Sequence, residues 1–222
     1  MTSINITLDP DAAYILTDGL HVDPATGRQW IGAKCLPLPH LRAAISCRGP
    51  HLVMPSIYQG LNEQPTFEDA AAKLGGLLRI ASEACTAFGM KWPGCLEAFL
   101  VGFPSDGGMP QCWYAHDGTH DPSAAWQVAQ IGGITTDVRG CPQHIQTLAA
   151  AARTPCDNSG LYVPNRDGPA LIEALSRTPG NLIGGACHLT TVGADCIHSE
   201  VLATWPEHLI GPAILQHPDN PI

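Results

Sequence analysis

The sequence predicts an α+β fold, and three stretches of the chain carry that prediction. Residues 3–8 alternate polar and apolar side chains, and a short apolar run over 12–16 follows a turn, which is the pattern of two consecutive strands. Residues 67–88 place apolar side chains at helical spacing. Residues 97–115 hold two strand-like runs around a glycine-containing turn, and this pattern predicts a hairpin.

The rest of the chain continues the mixture of strands and helices. The other predicted elements are, in order, a strand over 29–34, a turn at 36–39, a strand over 41–47, a helix over 141–152 and a short helix over 169–177 that begins with Pro169. Residues 205–222 form a Pro-rich tail, so we expect one domain over 1–204.

Composition excludes several classes of protein. At 222 residues with 45% hydrophobic and 14% charged residues, the chain is long enough for one substantial core and is apolar enough to bury surface against copies of itself. The net charge of −9 argues against a nucleic-acid partner. No targeting or membrane-spanning segment is visible, and the nine scattered Cys are typical of reduced core thiols, so we expect a cytoplasmic protein.

Three residues with complementary chemistry recur at an even spacing near the N-terminus. Thr2 follows the initiator Met, Asp18 lies sixteen residues later, and Lys34 lies sixteen residues beyond Asp18. Removal of Met1 would leave on Thr2 both a hydroxyl nucleophile and a free α-amine that serves as its base. Each residue alone has a simpler interpretation, because Asp18 precedes Gly19 as in a turn and a lysine on a strand is usually a surface residue.

With these three residues in register, the chain resembles a β-type subunit of the proteasome family, within the N-terminal-nucleophile hydrolases, over roughly residues 2–202. The resemblance implies a four-layer αββα sandwich of two antiparallel sheets with helices on the outer faces. It also implies residue roles: Thr2, Asp18 and Lys34 as catalytic residues, the backbone N–H of Arg48 as the oxyanion donor, and Val22, Ser46 and Gly49 as substrate-binding residues. No cofactor is implied.

The same resemblance leaves two functions open. One is a self-assembling threonine hydrolase, a peptidase or small-amide hydrolase whose site faces a chamber; whether an unfolding partner feeds that chamber is open. The other is an inactive assembly or binding subunit, for example of a phage or another particle, because Gly133, Asn181 and Gly184 stand where active members carry a Ser-Asp-Ser cluster around the α-amine. We expect no metal site, since His116 to His120 and Asp195 to His198 lack paired ligand spacing.

Overall fold

The computed structural model describes residues 2–23, 26–90, 92, 94–153, 162–178 and 181–205, and within these ranges the fold is mixed α+β. The strands are β1 (Ile4–Leu8), β2 (Ala12–Asp18), β3 (Leu20–Val22), β4 (Gln29–Ile31), β5 (Cys35–Leu38), β6 (Ala43–Arg48), β7 (Glu97–Gly102), β8 (Gln111–His116), β9 (Ala129–Ile131), β10 (Ala186–Gly193) and β11 (Ile197–Thr204). The helices are α1 (Val53–Asn62), α2 (Phe67–Ala87), α3 (Gln143–Arg153) and α4 (Pro164–Ser176).

The strands form two larger sheets and one short ribbon, and every pairing is antiparallel. The first sheet has the order β1-β2-β10-β11, and the second has the order β5-β6-β7-β8-β9. The ribbon consists of β3 and β4. Most neighbours are consecutive in sequence, whereas β10 returns from far along the chain to pair with β2 and sets Leu189 opposite Leu16. The late strand therefore completes a sheet that begins at the N-terminus.

The inner strands of both larger sheets are buried on both faces. One apolar cluster joins the inner faces of the two sheets and contains Ile6 and Ile15 from the first and Phe99 from the second. The other face of the second sheet packs against α1 and α2, and the other face of the first sheet packs against α3 and α4. Alternation along β2 divides its side chains between clusters, because successive residues of a strand point to opposite faces.

Several predicted elements are confirmed. The two N-terminal strands, the 97–115 hairpin and the long helix all form, and α2 begins behind Thr66, whose Oγ1 accepts a hydrogen bond from the Asp69 N–H at 3.1 Å. The prediction of a turn at 36–39 is wrong, because β5 occupies most of it. Pro37 is tolerated there since β5 is an edge strand, where a missing N–H costs no ladder hydrogen bond.

Other boundaries also differ from the prediction. The predicted strand over 29–34 ends at Ile31, so Lys34 lies in the connection before β5. Helix α4 begins at Pro164 and carries Pro169 inside it, so the prediction that Pro169 begins this helix is wrong, and Pro164 has that position. Helix α1 and strand β11 were not predicted; α1 contains a proline in its first turn, where the ring is tolerated, but this proline obscures the helical pattern.

Two further expectations concern the C-terminal tail and membrane-spanning helices. The Pro-rich tail from residue 206 onward lies outside them. Within the ranges, no helix combines the length and the apolar character needed to cross a lipid bilayer.

Two adjacent glycines of α2 provide a test of this packing. A Cβ on Gly75 would lie 2.0 Å from the backbone oxygen of Trp126, whereas a Cβ on Gly76 would have no heavy atom within 4 Å. We expect Gly75→Ala to lower the free energy of unfolding by about 2 kcal/mol or more, since backbone must move. Gly76→Ala should raise it by about 0.5–1 kcal/mol through helix propensity. Urea denaturation measures both, and equal effects would contradict the packing described here.

Candidate active site

A buried ion pair lies at the end of β2. Asp18 is fully buried and Lys34 is 5% exposed. The Lys34 Nζ lies 2.9 Å from each carboxylate oxygen of Asp18. Removing two charges from water is costly, and such a pair persists only where the geometry is good and further hydrogen bonds complete it. The surroundings of Asp18 meet that condition.

Three backbone N–H groups from different segments also donate to the Asp18 carboxylate. They belong to Ser3, Leu20 and Gly184, with donor–acceptor distances of 2.9, 3.3 and 3.2 Å. With the ammonium of Lys34, both carboxylate oxygens are satisfied from several directions. Asp18 therefore connects the N-terminal strand, the start of β3, the loop before β10 and the connection that carries Lys34.

Burial and the neighbouring carboxylate act on the pKa of Lys34 in opposite directions. Burial lowers the pKa of the Lys34 ammonium from its ordinary value, and the nearby Asp18 carboxylate opposes that shift. The Ser46 hydroxyl donates a 2.6 Å hydrogen bond to the Lys34 carbonyl, which fixes the backbone at this residue. A buried lysine whose pKa is lowered is a common feature of catalytic sites.

Thr2 lies beside this ion pair. It is 9% exposed, and the peptide group between Thr2 and Ser3 is bound from two sides. The Ser3 N–H of this peptide group donates to Asp18. The Thr2 carbonyl of the same group accepts a 3.0 Å hydrogen bond from Arg48 Nε. One charged residue from each larger sheet thus fixes the residue predicted to be the nucleophile.

The side chain of Arg48 is a part of the site that the sequence interpretation missed. Its Nη1 lies 2.5 Å from Glu97 Oε2, and its Nη2 donates to Thr136 Oγ1 at 3.0 Å. The guanidinium carbon lies 5.8 Å from the centre of the Phe99 ring. Glu97 also accepts a 2.7 Å hydrogen bond from the Tyr114 hydroxyl. The partners of Arg48 lie on β7 and in the loop after β9, far from Arg48 in sequence, so no local pattern marks them.

Gly49 allows the chain to turn directly after Arg48. Its φ of +148° is a conformation that side chains disfavour, and a Cβ there would lie 2.7 Å from Leu96 Cδ2. The backbone N–H predicted to bind the oxyanion therefore belongs to the last residue of β6, immediately before a glycine that cannot be replaced without strain.

The three positions assigned to the amine cluster have separate surroundings. Gly133 lies beside Ile6, where a Cβ would be 2.8 Å from the Ile6 carbonyl oxygen. Asn181 Nδ2 donates to the Leu175 carbonyl at the end of α4. Only Gly184 contacts the site, through its N–H on Asp18. The loop after β9 also places Thr136 next to Ser3, with 3.2 Å between the two hydroxyl oxygens.

The predicted substrate-binding residues lie on both sides of the site. Val22 is half-buried at the end of β3, whereas the Ser46 side chain is fully buried and bonded to Lys34. The ribbon also carries His21 and Trp30, whose rings stack at 5.2 Å, and Trp30 meets His51 edge-on at 6.3 Å. We call His21, Trp30 and His51 the aromatic cluster. It links the ribbon to the segment that follows Arg48.

The electrostatics of the site extend to two histidines. Burial lowers the pKa of His21, and the Lys34 ammonium lowers it further. Burial likewise lowers the pKa of His188, which lies opposite Thr17 in the β2–β10 register. Among the described residues, His188 Nε2 and Thr17 Oγ1 are buried atoms without a hydrogen-bond partner. Both imidazoles are therefore favoured in the neutral form near the ion pair.

One cluster of metal-ligand side chains lies outside the site. Cys95, His116 and Asp117 bring ligand atoms within 4.8 Å of one another, a grouping that the sequence interpretation did not foresee because it considered only His116 to His120. The Cys95 thiol donates to Asp117, and burial raises the pKa of that thiol to about 12. The Gly118 N–H donates to His116 Nδ1. These hydrogen bonds shape the turn after β8.

Comparison with protein-family models gives no match for this sequence, and comparison with curated proteins also gives none. The geometry described above is therefore the basis for the functional argument.

The buried pair makes a prediction about stability. We expect Lys34→Met to lower the free energy of unfolding by about 3–5 kcal/mol, because Asp18 would stay buried without its counter-charge. Arg79→Met is the matched control, since Arg79 forms an exposed i,i+4 pair with Glu83 and its loss should cost less than about 0.5 kcal/mol. Urea denaturation measures both variants. A loss below about 1 kcal/mol for Lys34→Met would contradict the burial of the pair.

Proposed function

We propose that this chain is an N-terminal threonine hydrolase of the proteasome β type, with Thr2 as its nucleophile after removal of Met1. One observation carries the proposal: the carboxylate of the buried Asp18–Lys34 pair accepts the N–H directly after Thr2. A buried ion pair contributes little net stability by itself, so its position beside a candidate nucleophile favours a chemical role.

The arrangement of the layers supports the corresponding fold. Two antiparallel sheets share an apolar cluster between them, and pairs of helices cover the two outer faces. We infer that these layers are the four-layer αββα sandwich of the N-terminal-nucleophile hydrolases. In this interpretation the site lies where β1, β2 and β6 bring Thr2, Asp18 and Arg48 together.

The proposed reaction begins with attack by Thr2 Oγ1 on the carbonyl carbon of a peptide or amide. The hydroxyl proton passes to the α-amine of Thr2, and the carbonyl oxygen becomes an oxyanion bound by the Arg48 N–H. The intermediate collapses as the C–N bond breaks, and the leaving amine takes the proton from the α-ammonium. An ester between the acyl group and Thr2 remains.

Water completes the cycle. It attacks the ester carbonyl and gives a proton to the α-amine, and the C–Oγ1 bond then breaks as that proton returns to Thr2. The products are the carboxylic acid and the free enzyme. An unperturbed α-amine has a pKa of about 7.7–8.0, so it can accept a proton near neutral pH.

Lys34 and Asp18 have separate roles in this scheme. The Lys34 ammonium stabilises negative charge that develops on Thr2 Oγ1. Asp18 orients Lys34 through both carboxylate oxygens and fixes the N–H after Thr2. Neither residue forms a bond to the substrate.

A peptide is the substrate class that we favour, and assembly with copies of the chain is part of the proposal. Val22 and Gly49 flank the site and would contact an extended substrate. Ile80 on α2 is 58% exposed, and Phe88, directly after this helix, is 75% exposed, which supports burial of the helix against another copy. The site would then face a chamber within the assembly.

A second candidate function is an assembly or binding subunit without activity. The placements of Gly133 and Asn181 favour it, because neither brings a polar side chain to the position of the α-amine. This alternative keeps the fold and gives the buried ion pair a purely structural role.

Intact mass spectrometry distinguishes the two functions. The purified protein is measured before and after exposure to a peptide epoxyketone or a β-lactone, electrophiles that react with an activated N-terminal threonine. We expect a mass without Met1 and one adduct on Thr2. Thr2→Ala should abolish the adduct, whereas Thr86→Ala, which removes an exposed hydroxyl of α2, should leave it unchanged. An unmodified protein that retains Met1 would favour the assembly function.

A further inference from the structure

We propose that Arg48 is a positioning residue of this site, whose guanidinium fixes Thr2 and favours the neutral, proton-accepting form of its α-amine. The inference rests on the proposed function and adds a residue to it. This positioning role belongs to the side chain of Arg48, whereas its backbone N–H is the proposed oxyanion donor.

Two charged residues hold the peptide group between Thr2 and Ser3. Arg48 Nε binds the Thr2 carbonyl at 3.0 Å, and Asp18 binds the N–H of the same peptide group at 2.9 Å. A peptide group bound at both polar atoms cannot rotate without losing a charge-assisted hydrogen bond. The Thr2 Cα is thereby held in place, and rotation about the Thr2 Cα–C bond is the one backbone torsion left between this peptide group and the α-amine.

The guanidinium of Arg48 is itself held by three further contacts. Nη1 is paired with Glu97, Nη2 donates to Thr136, and the group lies over the Phe99 ring. The Arg48 side chain is 19% exposed. A planar fork can satisfy three partners at once, which a lysine ammonium at the same place does less well. The clamp on Thr2 is therefore rigid.

Arg48 also places a positive charge near the α-nitrogen of Thr2. The α-nitrogen of Thr2 is three covalent bonds from its carbonyl oxygen, so Arg48 Nε lies within about 7 Å of it. A positive charge at that distance disfavours the ammonium form of the amine. Glu97 binds a different nitrogen of the guanidinium and reduces this effect without contacting Thr2.

Other groups also contribute to the field at the amine. Asp18 accepts the N–H after Thr2 and pairs with Lys34, and both of these charges act on His21 of β3 and His188 of β10. On the side of Arg48, Glu97 accepts from Tyr114, whose ring stacks on His116. Arg48 and Glu97 can each be neutralised while the others stay in place, so their effects can be separated from this background.

Two substitutions should therefore act in opposite directions on the pH dependence of modification by a β-lactone. The rate rises with pH as the amine loses its proton. Arg48→Gln removes positive charge, so the midpoint should rise by roughly one pH unit, and the rate at high pH should fall about tenfold as the clamp is lost. Glu97→Gln removes negative charge and should lower the midpoint.

Two further variants serve as controls. Arg48→Lys keeps the charge and loses the fork, so the rate should fall while the midpoint stays near that of the wild type. Arg139→Gln changes an arginine whose side chain is 92% exposed and should alter neither quantity. Arg48→Lys and Glu97→Gln keep the test decisive even if Arg48→Gln fails to fold.

The outcomes separate this inference from the proposed function. If the wild type is modified at Thr2 and both Arg48→Gln and Glu97→Gln keep its midpoint, the inference is overturned while the proposed function stands. If the wild type is not modified, both are overturned. Lower thermal stability in the variants without any change of midpoint would assign Arg48 a structural role only, which also overturns the inference.

Discussion

The ion pair between Asp18 and Lys34 is the interaction on which the rest of the site depends. Its cost in desolvation is offset only because three backbone N–H groups and the lysine ammonium together satisfy the carboxylate. Those donors come from the first strand, the start of the ribbon and the loop before β10. The hydrogen bonds that stabilise the buried carboxylate at the end of β2 therefore also hold the backbone next to Thr2 in place.

The second sheet contributes the opposite charge. Arg48 ends β6, and its guanidinium reaches the Thr2 carbonyl while Glu97, opposite it in the register of β7, holds it in place. Thr2 is thus fixed between a carboxylate on one sheet and a guanidinium on the other. The relative placement of the two sheets, set by the apolar cluster between them, determines the geometry of the candidate nucleophile.

Local patterns made much of the fold predictable, and long-range pairing explains the rest. Alternation over 3–8 and helical spacing over 67–88 report side chains that one element buries by itself, and both elements formed. Thr2, Asp18 and Lys34 were predicted from their spacing, and in the structure the Asp18 carboxylate accepts hydrogen bonds from Lys34 and from the N–H that follows Thr2. Glu97 and Thr136 were not foreseen, because they meet Arg48 only through strand pairing and a loop whose length the sequence pattern does not specify.

The most direct test of the central claim, that this ion pair serves an N-terminal nucleophile, is a crystal structure of the protein processed in cells. We expect Thr2 to be the first residue, with its α-amine and Oγ1 both exposed to a cavity beside Lys34 and with its carbonyl bound to Arg48. A structure in which Met1 remains attached, and in which Thr2 Oγ1 points away from Lys34, would contradict it.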